Sequence, residues 1–314
     1  MSRDTWQSPH DRPLPAIGPR TLIMAVLNVT PDSFSDGGML AGSQALVDHA
    51  GMLLAEGADV LDLGGESTRP GGTPVLEGEE LDRVLPALAA LRNAFPAAPV
   101  SIDTYKAGVA DAALAAGADM INDIWGFTHE LTVEQRVGWR AAAEAGETAG
   151  DQPLPAMAEV VGRWRCPVIL MHNRPARDYA DFWADLLLDL QVSILLARRA
   201  GIPAHQIWLD PGFGFAKDAA QNLEVLRNLG RVADLGHPVL VGTSRKSTLG
   251  RVLDASVEDR LEGTAATAVW AIQQGCRMLR VHEVAPLARF VSMADAIRAG
   301  LHFESTTGPI TRSP

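Results

Sequence analysis

The ten residues EGADVLDLGG, 56–65, indicate how this chain folds. A glycine ends a helical segment, a short apolar run forms a buried strand, and polar residues follow where the strand ends. The stretches AGADMINDIWG, 116–126, and QGCRMLRVHEV, 274–284, repeat the same order. Each glycine is predicted to end its helix in the left-handed conformation, because a residue without Cβ adopts it at little cost. These glycines are Gly57, Gly117 and Gly275.

The same unit extends along the whole chain, since short runs rich in Val, Ile and Leu alternate with longer segments of helical periodicity. This alternation is typical of β/α units around a parallel sheet. Eight units favour the α/β class with a single (β/α)8 TIM barrel; an open doubly wound sheet shares the alternation and differs in strand order. The predicted strands are 21–27, 59–63, 100–103, 120–123, 168–171, 206–210, 238–241 and 278–281.

Length and composition fit one such barrel. A chain of 314 residues can hold an α/β barrel of about 250 residues with two tails. We expect flexible tails at 1–18 and 301–314, a barrel domain at 19–300, and an insertion after strand four at 127–152, where a polar stretch rich in Glu, Arg and Ala interrupts the alternation. Mobile loops are expected after strands one and two.

Charge and apolar content narrow the partners and the compartment. The formal net charge of −11 argues against a nucleic-acid partner, because such binding needs clustered Lys and Arg. No apolar run approaches the roughly 20 residues that span a bilayer, so no membrane partner is expected. The N-terminus lacks the apolar core of a secretory signal, which predicts a cytoplasmic protein. Two cysteines, Cys166 and Cys276, are too few for a disulfide framework and are expected to be reduced core residues.

Polar residues follow the predicted strands, and in such barrels the carboxyl ends of the strands carry the active site. Asp103, Asn122 and Asp210 supply two carboxylates and an amide. A buried carboxylate needs hydrogen-bond donors, so the set suits a flat heterocycle with several N–H groups. Salt bridges to neighbouring strands explain any one of them alone; three together favour a ligand.

Lys246 and Arg280 follow strands seven and eight, where barrels often hold phosphate, and they predict an anionic substrate group. Asn28, at the end of strand one, offers a carbonyl oxygen of the kind Mg2+ prefers, although an Asn at a strand end is more often structural. No motif of a transition-metal site is present.

Two loops have competing interpretations. Phe213 and Phe215 in DPGFGFAKD, 210–218, either stack on a ring ligand or simply pack in the core. The stretch ESTRPGG, 66–72, is either a lid carrying a cation or a surface turn.

From about Thr21 to Ala299 the chain resembles the dihydropteroate synthase family, pterin-binding TIM-barrel enzymes. The resemblance rests on motifs in family order, namely NVTPDSFSDGG 28–38, DLGGESTRPGG 62–72, SIDTYK 101–106, INDIWG 121–126, ILMHNR 169–174, DPGFGFAK 210–217, GTSRKS 242–247, LEGTAAT 261–267 and RVHEV 280–284.

The resemblance implies a transferase of folate biosynthesis that condenses 6-hydroxymethyl-7,8-dihydropterin pyrophosphate with 4-aminobenzoate. The products are 7,8-dihydropteroate and pyrophosphate, with pyrophosphate departing before the amine attacks. The catalytic residues it implies are Asp103, Asp210, Lys246 and Arg280. The pterin-binding residues are these four with Asn122, Met171 and Phe215.

The resemblance also assigns the remaining substrate groups. Pyrophosphate is expected to bind Asn28, Thr68, Arg69, Arg280 and His282, with Mg2+ as the cofactor on Asn28. The 4-aminobenzoate pocket is expected to comprise Phe34, Thr68, Arg69, Pro70 and Ser244. Sulfonamides, which mimic 4-aminobenzoate, are expected to inhibit.

Three features depart from the family pattern: Glu283 where Asp is commoner, Ala216 in place of a frequent glycine, and the long stretch after strand four. Two other functions remain open, a methyltetrahydrofolate-dependent methyltransferase and a non-catalytic pterin-binding paralogue. The resemblance further implies a homodimer formed through helices within 261–274 and 285–298.

Overall fold

The computed structural model describes residues 5–29, 38–66, 74–146 and 152–300. Within them, eight parallel strands alternate with helices. The strands are β1 (Leu22–Asn28), β2 (Val60–Gly64), β3 (Val100–Asp103), β4 (Met120–Asp123), β5 (Val168–Met171), β6 (Ile207–Asp210), β7 (Leu240–Val241) and β8 (Met278–Val281). The helices are α1 (Gly38–Ala55), α2 (Glu77–Ala94), α3 (Ala107–Ala115), α4 (Val133–Ala145), α5 (Ala156–Trp164), α6 (Phe182–Arg199), α7 (Ala219–Arg227), α8 (Gly230–Ala233), α9 (Ser247–Leu253), α10 (Leu261–Gln273) and α11 (Val284–Ala299).

The strands pair in the order β6-β5-β4-β3-β2-β1-β8-β7. The two ends of this row meet at a parallel bridge between Leu209 and Val239, where the Leu209 N–H donates to the Pro238 carbonyl at 3.0 Å. An open doubly wound sheet reverses its strand order partway across, whereas this ring follows chain order. The predicted (β/α)8 barrel is therefore confirmed.

The predicted strand boundaries hold to within one residue except at β7. That strand was expected to begin at Pro238 and begins at Leu240. Proline has no N–H to donate to a strand ladder, so regular pairing starts only after it. The predicted left-handed turns are confirmed, with φ of 107° at Gly57, 105° at Gly117 and 96° at Gly275.

Two apolar layers hold the barrel together. The larger lies between the strands and the surrounding helices. The smaller fills the barrel interior toward the amino ends of the strands. Its strand residues are Leu22, Met24, Val60, Met120, Ile169, Trp208, Leu240 and Met278, each at most 1% exposed.

The N-terminal segment closes this end of the barrel, which corrects the expectation of a flexible tail. Trp6 is 3% exposed, and its ring lies 5.0 Å from that of Trp208, centroid to centroid. The Ser8 hydroxyl donates to Asp119 at 2.6 Å, and the Arg12 guanidinium donates to the same carboxylate at 2.8 Å. An apolar barrel mouth needs a cover, and a buried tryptophan supplies it.

The stretch after β4 contains a helix, α4, packed against α6. The Thr132 hydroxyl accepts from the Gln135 N–H, and the Gln135 side chain accepts from the Thr132 N–H, so a capping box begins the helix. Arg140 on α4 donates to Asp185 and Asp189 on α6. Within the described residues, the predicted insertion therefore contains a helix that packs beside the barrel.

Cys166 and Cys276 are both buried and free, as expected. Among the residues that the structure describes, no helix combines the length and the apolar character needed to cross a membrane.

Candidate active site

A cavity of about 320 Å³ opens at the carboxyl ends of the strands. Every predicted site residue within the described ranges lines it. These residues are Asn28, Asp103, Asn122, Met171, Asp210, Phe215, Ser244, Lys246, Arg280 and His282. The predictions for Phe34, Thr68, Arg69 and Pro70 lie outside the described residues.

Strand register brings the polar groups of β1 to β4 side by side. Asn28 pairs with Gly64, Gly64 with Asp103, and Asp103 with Asn122. A Cβ on Gly64 would lie 3.0 Å from the Asn28 Oδ1 and 3.5 Å from the Asp103 Cβ. The glycine therefore leaves room for two polar side chains to face the same space.

Arg280 lies at the centre of the cavity wall, between two carboxylates. Its Nε donates to Asp62 at 2.6 Å and its Nη2 donates to Asp103 at 2.7 Å. Asn122 Nδ2 donates to the same Asp62 oxygen at 3.1 Å. The other carboxylate oxygens, Oδ1 of Asp62 and of Asp103, are buried without a hydrogen-bond partner. A buried carboxylate oxygen in this state is an acceptor for a ligand donor.

For Asp103 and for Arg280, burial and the neighbouring charges act on the pKa in opposite directions. Burial raises the pKa of Asp103 to about 7, against the opposing pull of Arg280. Burial by itself lowers the pKa of Arg280, but Asp62 and Asp103 outweigh it and raise that pKa. Asp103 is therefore an acid that titrates near neutrality beside a permanent cation.

Asp210 begins the loop that forms the opposite wall. Its Oδ1 accepts from the Gly212 N–H at 2.7 Å, and burial raises its pKa to about 6. The loop then passes through positive φ at Gly212 (70°), Gly214 (86°) and Ala216 (46°). Ala216, where the family often has glycine, thus adopts a left-handed backbone despite its Cβ.

The loop resolves the two interpretations of its phenylalanines. Phe213 is 1% exposed within the apolar layer between strands and helices, so it packs in the core. Phe215 lines the cavity, and the Lys246 Nζ lies 4.1 Å from its ring centroid. Phe215 is therefore the aromatic side chain placed for stacking.

Ser244 and His282 lie together at the β7 and β8 side of the cavity. The Ser244 hydroxyl accepts from the His282 backbone N–H at 3.2 Å and lies 2.9 Å from the ring Nδ1. Glu283, which stands where Asp is commoner in the family, forms an ion pair with Arg245 at the rim of the cavity. The longer side chain thus retains a charged partner.

The structure adds residues that sequence reasoning did not select. Asp62 is 0% exposed and accepts a hydrogen bond from Arg280. It lies on β2 two residues before Gly64, and alternate residues of a strand share one face. This spacing could have identified Asp62 from the sequence. Ile124, Val257 and Arg260 line the cavity. Arg260 reaches it from beyond β7 by donating to the Arg245 carbonyl at 2.9 Å, a contact no local pattern indicates.

A second cavity, also about 320 Å³, lies between the β5 loop, α4 and α6 and shares Met171 with the first. Its wall carries Arg140 and Arg174, which pair with Asp185 and Asp189. These charges satisfy one another within the wall. The first cavity, with its unpartnered acceptors, is the better candidate for the active site.

A metal ion at this site would depend on the oxygen donors of the cavity. Within the described part of the chain, no group of three or more His, Cys, Asp or Glu is arranged to hold an ion. Asn28 nevertheless lines the cavity with an amide oxygen, near Arg280 and His282. One hard oxygen fits a Mg2+ ion that takes its other ligands from phosphate and water.

Known proteins resemble this chain over most of its length. The family of pterin binding enzymes matches residues 24–282. The dihydropteroate synthase of Bacillus subtilis is 45% identical over 90% of this chain and 91% of its own. The structure of the Clostridium difficile dihydropteroate synthase in the presence of pteroic acid matches with a TM-score of 0.78 and 43% identity, over 90% of this chain and 98% of that one. That of the Xanthomonas albilineans enzyme with 4-aminobenzoic acid matches with a TM-score of 0.77 and 40% identity, over 89% and 94%.

Proposed function

The chain belongs to the dihydropteroate synthase family of pterin binding enzymes, and from this membership we propose that it is a transferase joining a dihydropterin to 4-aminobenzoate. The substrates are 6-hydroxymethyl-7,8-dihydropterin pyrophosphate and 4-aminobenzoate, and the products are 7,8-dihydropteroate and pyrophosphate. One observation carries the proposal: Arg280 is held between Asp62 and Asp103, while the second oxygen of Asp103, a residue that lines the cavity, stays unpartnered.

The pterin is recognised by the acceptors of the cavity wall. Asp103, Asn122 and Asp210 offer oxygens to the ring N–H groups, and the unpartnered Asp103 oxygen gains a donor on binding. Met171 and Phe215 supply apolar surface for the ring faces. Lys246 lies beside Phe215, and Arg280 lies along the wall, so both cations flank the bound ring.

The pyrophosphate binds on the side of Arg280 and His282, and Thr68 and Arg69 are proposed to complete its site. Asn28 would hold Mg2+ there through its amide oxygen. When bound, the metal supplies positive charge that neutralises the departing phosphate oxygens. Arg280 contributes to the same neutralisation as a permanent cation.

The reaction exchanges one bond for another at the pterin methylene carbon. The carbon–oxygen bond to pyrophosphate breaks first, leaving positive charge on the pterin, which the Asp103 carboxylate stabilises. The amine of 4-aminobenzoate then forms the carbon–nitrogen bond and loses one proton. Ser244, with Phe34, Thr68, Arg69 and Pro70, shapes the pocket for this second substrate. We expect ordered binding, in which the pterin pyrophosphate binds before 4-aminobenzoate.

The decisive experiment mixes the purified chain with the pterin pyrophosphate, 4-aminobenzoate and Mg2+, and measures dihydropteroate and pyrophosphate together. Both should appear in equal amounts, and a chelator should suppress both. Pterin binding without either product would instead favour a non-catalytic paralogue. Methyl transfer from methyltetrahydrofolate to a corrinoid protein would favour the methyltransferase. A sulfonamide should compete with 4-aminobenzoate and not with the pterin.

We also propose that the protein is a cytoplasmic homodimer formed through α10 and α11. These helices pack on each other and expose large apolar side chains, with Trp270 at 49%, Phe290 at 44%, Met293 at 63% and Ile297 at 65%. Phe290, Met293 and Ile297 recur at helical spacing on one face of α11. A contiguous exposed apolar surface of this kind is typical of a protein–protein interface. Sedimentation should give a dimer and Met293→Glu a monomer; a monomeric parent chain at micromolar concentration would refute the interface.

A further inference from the structure

A chain of three polar side chains, of which Lys217 and His172 are buried, runs from the active-site loop to Asp189 on helix α6. The Lys217 Nζ lies 2.8 Å from the His172 Nδ1, and the His172 Nε2 lies 3.2 Å from an Asp189 carboxylate oxygen. His172 is 2% exposed and Lys217 is 8% exposed. Neither Lys217 nor Asp189 lines the candidate active site, so this chain lies behind the cavity wall.

The chemistry of the partners fixes the direction of these hydrogen bonds. An ionised carboxylate only accepts, so the His172 Nε2 carries the proton and donates it to Asp189. The Nδ1 lone pair is then the acceptor for Lys217. Burial lowers the pKa of His172 to about 4, with Lys217 adding to the effect, so the imidazole is neutral at pH 7 and this tautomer persists.

Lys217 uses its other donors to hold the loop after β6. Its Nζ donates to the Gly212 carbonyl at 3.1 Å and to the Phe215 carbonyl at 3.2 Å. A Cβ on Gly212 would lie 1.9 Å from the His172 carbonyl oxygen, so the loop approaches β5 as closely as glycine permits. The loop follows a left-handed path at Gly212, Gly214 and Ala216, and at Ala216 this path is one that a residue with a Cβ rarely adopts. The lysine therefore clamps a conformation that needs external support.

The clamped loop presents the side chains that face the pterin site. Phe215 lies between the Lys217 clamp and the cavity, and its ring is 4.1 Å from the Lys246 Nζ. A Cβ on Gly214 would lie 2.9 Å from the Lys246 Cδ, so the loop backbone also contacts that side chain directly. Movement of the loop would displace both groups.

The outer end of the chain is fixed by the stretch that departs from the family pattern. Asp189 accepts from Arg174 Nε at 2.6 Å and from Arg140 on α4. Arg140 also donates to Asp185 at 2.5 Å, which fixes it between two carboxylates of α6. Helix α4 is thus joined to the active-site loop through continuous hydrogen bonds.

We propose that Lys217, His172 and Asp189 form a positioning relay through which α4 and α6 hold Phe215 and Lys246 against the pterin. The three residues touch no substrate; they act through the loop. The inference rests on the proposed function, since it assigns these residues to the pterin site of that reaction.

Lys217→Met tests the relay because it keeps an unbranched side chain of nearly the same length and removes every donor. The KM for the pterin pyrophosphate should rise about tenfold or more, since the hydrogen bonds from Lys217 to the Gly212 and Phe215 carbonyls are lost, while the KM for 4-aminobenzoate stays within twofold. Calorimetric titration of the pterin pyrophosphate alone should show the same loss. A folded variant with both KM values unchanged, or both raised equally, would overturn the proposal.

Two further variants keep the test decisive if Lys217→Met does not fold. His172→Gln retains an acceptor and a donor and should keep most of the pterin affinity, whereas His172→Leu should lose it as Lys217→Met does. Arg140→Met, at the far end, should raise the pterin KM about threefold, and Arg163→Met, which breaks the exposed pair with Asp111, should change nothing. Equal behaviour of the two His172 variants would refute the relay. Absence of pterin binding and turnover in the parent chain would instead refute the proposed function.

Discussion

The two ends of this barrel are built from the same strands and serve opposite purposes. At the amino end, the inward side chains are apolar, and Trp6 covers them by packing against Trp208. At the carboxyl end, the inward side chains are charged, and Asp62 and Asp103 keep unpartnered oxygens. The Trp208 N–H is also unpartnered, but a neutral group costs less to bury than a carboxylate. The amino end of the barrel therefore serves stability, and the carboxyl end serves binding.

Asp103→Asn should have the largest effect, and only at the carboxyl end. Turnover should fall about 10²–10³-fold, because the carboxylate that faces developing positive charge is lost. Stability should change little, since burial already penalises this charge, as its raised pKa of about 7 indicates. Product release assays and thermal unfolding measure the two quantities.

Asp111→Asn, at an exposed carboxylate on α3, is the matched control and should leave turnover unchanged. Near-normal turnover in Asp103→Asn would contradict the site assignment. If Asp103→Asn lost stability as well as activity, the carboxyl end would serve both stability and binding, and the two ends would not differ as described.

Trp6→Ala should have the opposite effect to Asp103→Asn, because it should lower stability and leave turnover unchanged. Removing a tryptophan that is 3% exposed should lower the free energy of unfolding by about 3 kcal/mol. Turnover at a temperature where the variant is folded should be unchanged, because the cavity lies at the other end. Denaturant unfolding monitors the loss.

Val137→Ala, which removes methyl groups from a side chain 63% exposed, serves as its control and should cost little. If Trp6→Ala left stability intact, the N-terminal segment would not close the barrel as described. If it lowered kcat in the folded state, the two ends would be coupled.

The third prediction concerns pH and follows from the carboxyl end. Burial raises the pKa of Asp103 to about 7 and that of Asp210 to about 6, so both carboxyls gain protons between pH 7 and pH 5. The pterin N–H groups donate to ionised carboxylates, so a protonated Asp103 or Asp210 must lose its proton when the pterin binds. The pterin affinity should therefore level off above about pH 8, fall by up to about tenfold per pH unit between about pH 7 and pH 6, and fall by up to about a hundredfold per unit below about pH 6, where both carboxyls must lose a proton.

Calorimetric titration from pH 5 to pH 8.5 tests this dependence, with the unfolding midpoint followed in parallel. Asp103→Asn should remove the part of the dependence nearest pH 7. A pterin affinity that increases toward acid pH would be incompatible with carboxylate recognition.

The smallest expected effect is at Ala216, where the carboxyl end carries backbone strain. Its φ of 46° costs an L-residue about 1 kcal/mol, while a glycine gains freedom in the unfolded chain. Ala216→Gly should therefore stabilise by only about 0.5 kcal/mol. Ala141→Gly, in an exposed position of α4, should destabilise by about 1 kcal/mol. Equal effects of the two variants would mean that the loop is not strained.

Periodicity was sufficient for most of the fold. Alternating apolar runs and helical segments predicted eight strands, and their boundaries hold except where Pro238 delays β7. The N-terminal segment was expected to be flexible because its composition is polar and rich in proline. Its contact of Trp6 with Trp208 depends on a surface that exists only after the barrel closes.

By itself, the sequence determined the barrel and the edge at which the polar groups gather, because strand period and strand ends are local properties. It also selected Asp103, Asn122, Asp210, Lys246 and Arg280 as a group. The tertiary structure alone decided which groups pair. Arg280 meets Asp62 and Asp103, 218 and 177 residues away, because closing β1 against β8 brings the first and last strands together. Such distant pairs leave no periodic signal, so the role of Asp62 and the Lys217–His172–Asp189 contacts become visible only in the fold.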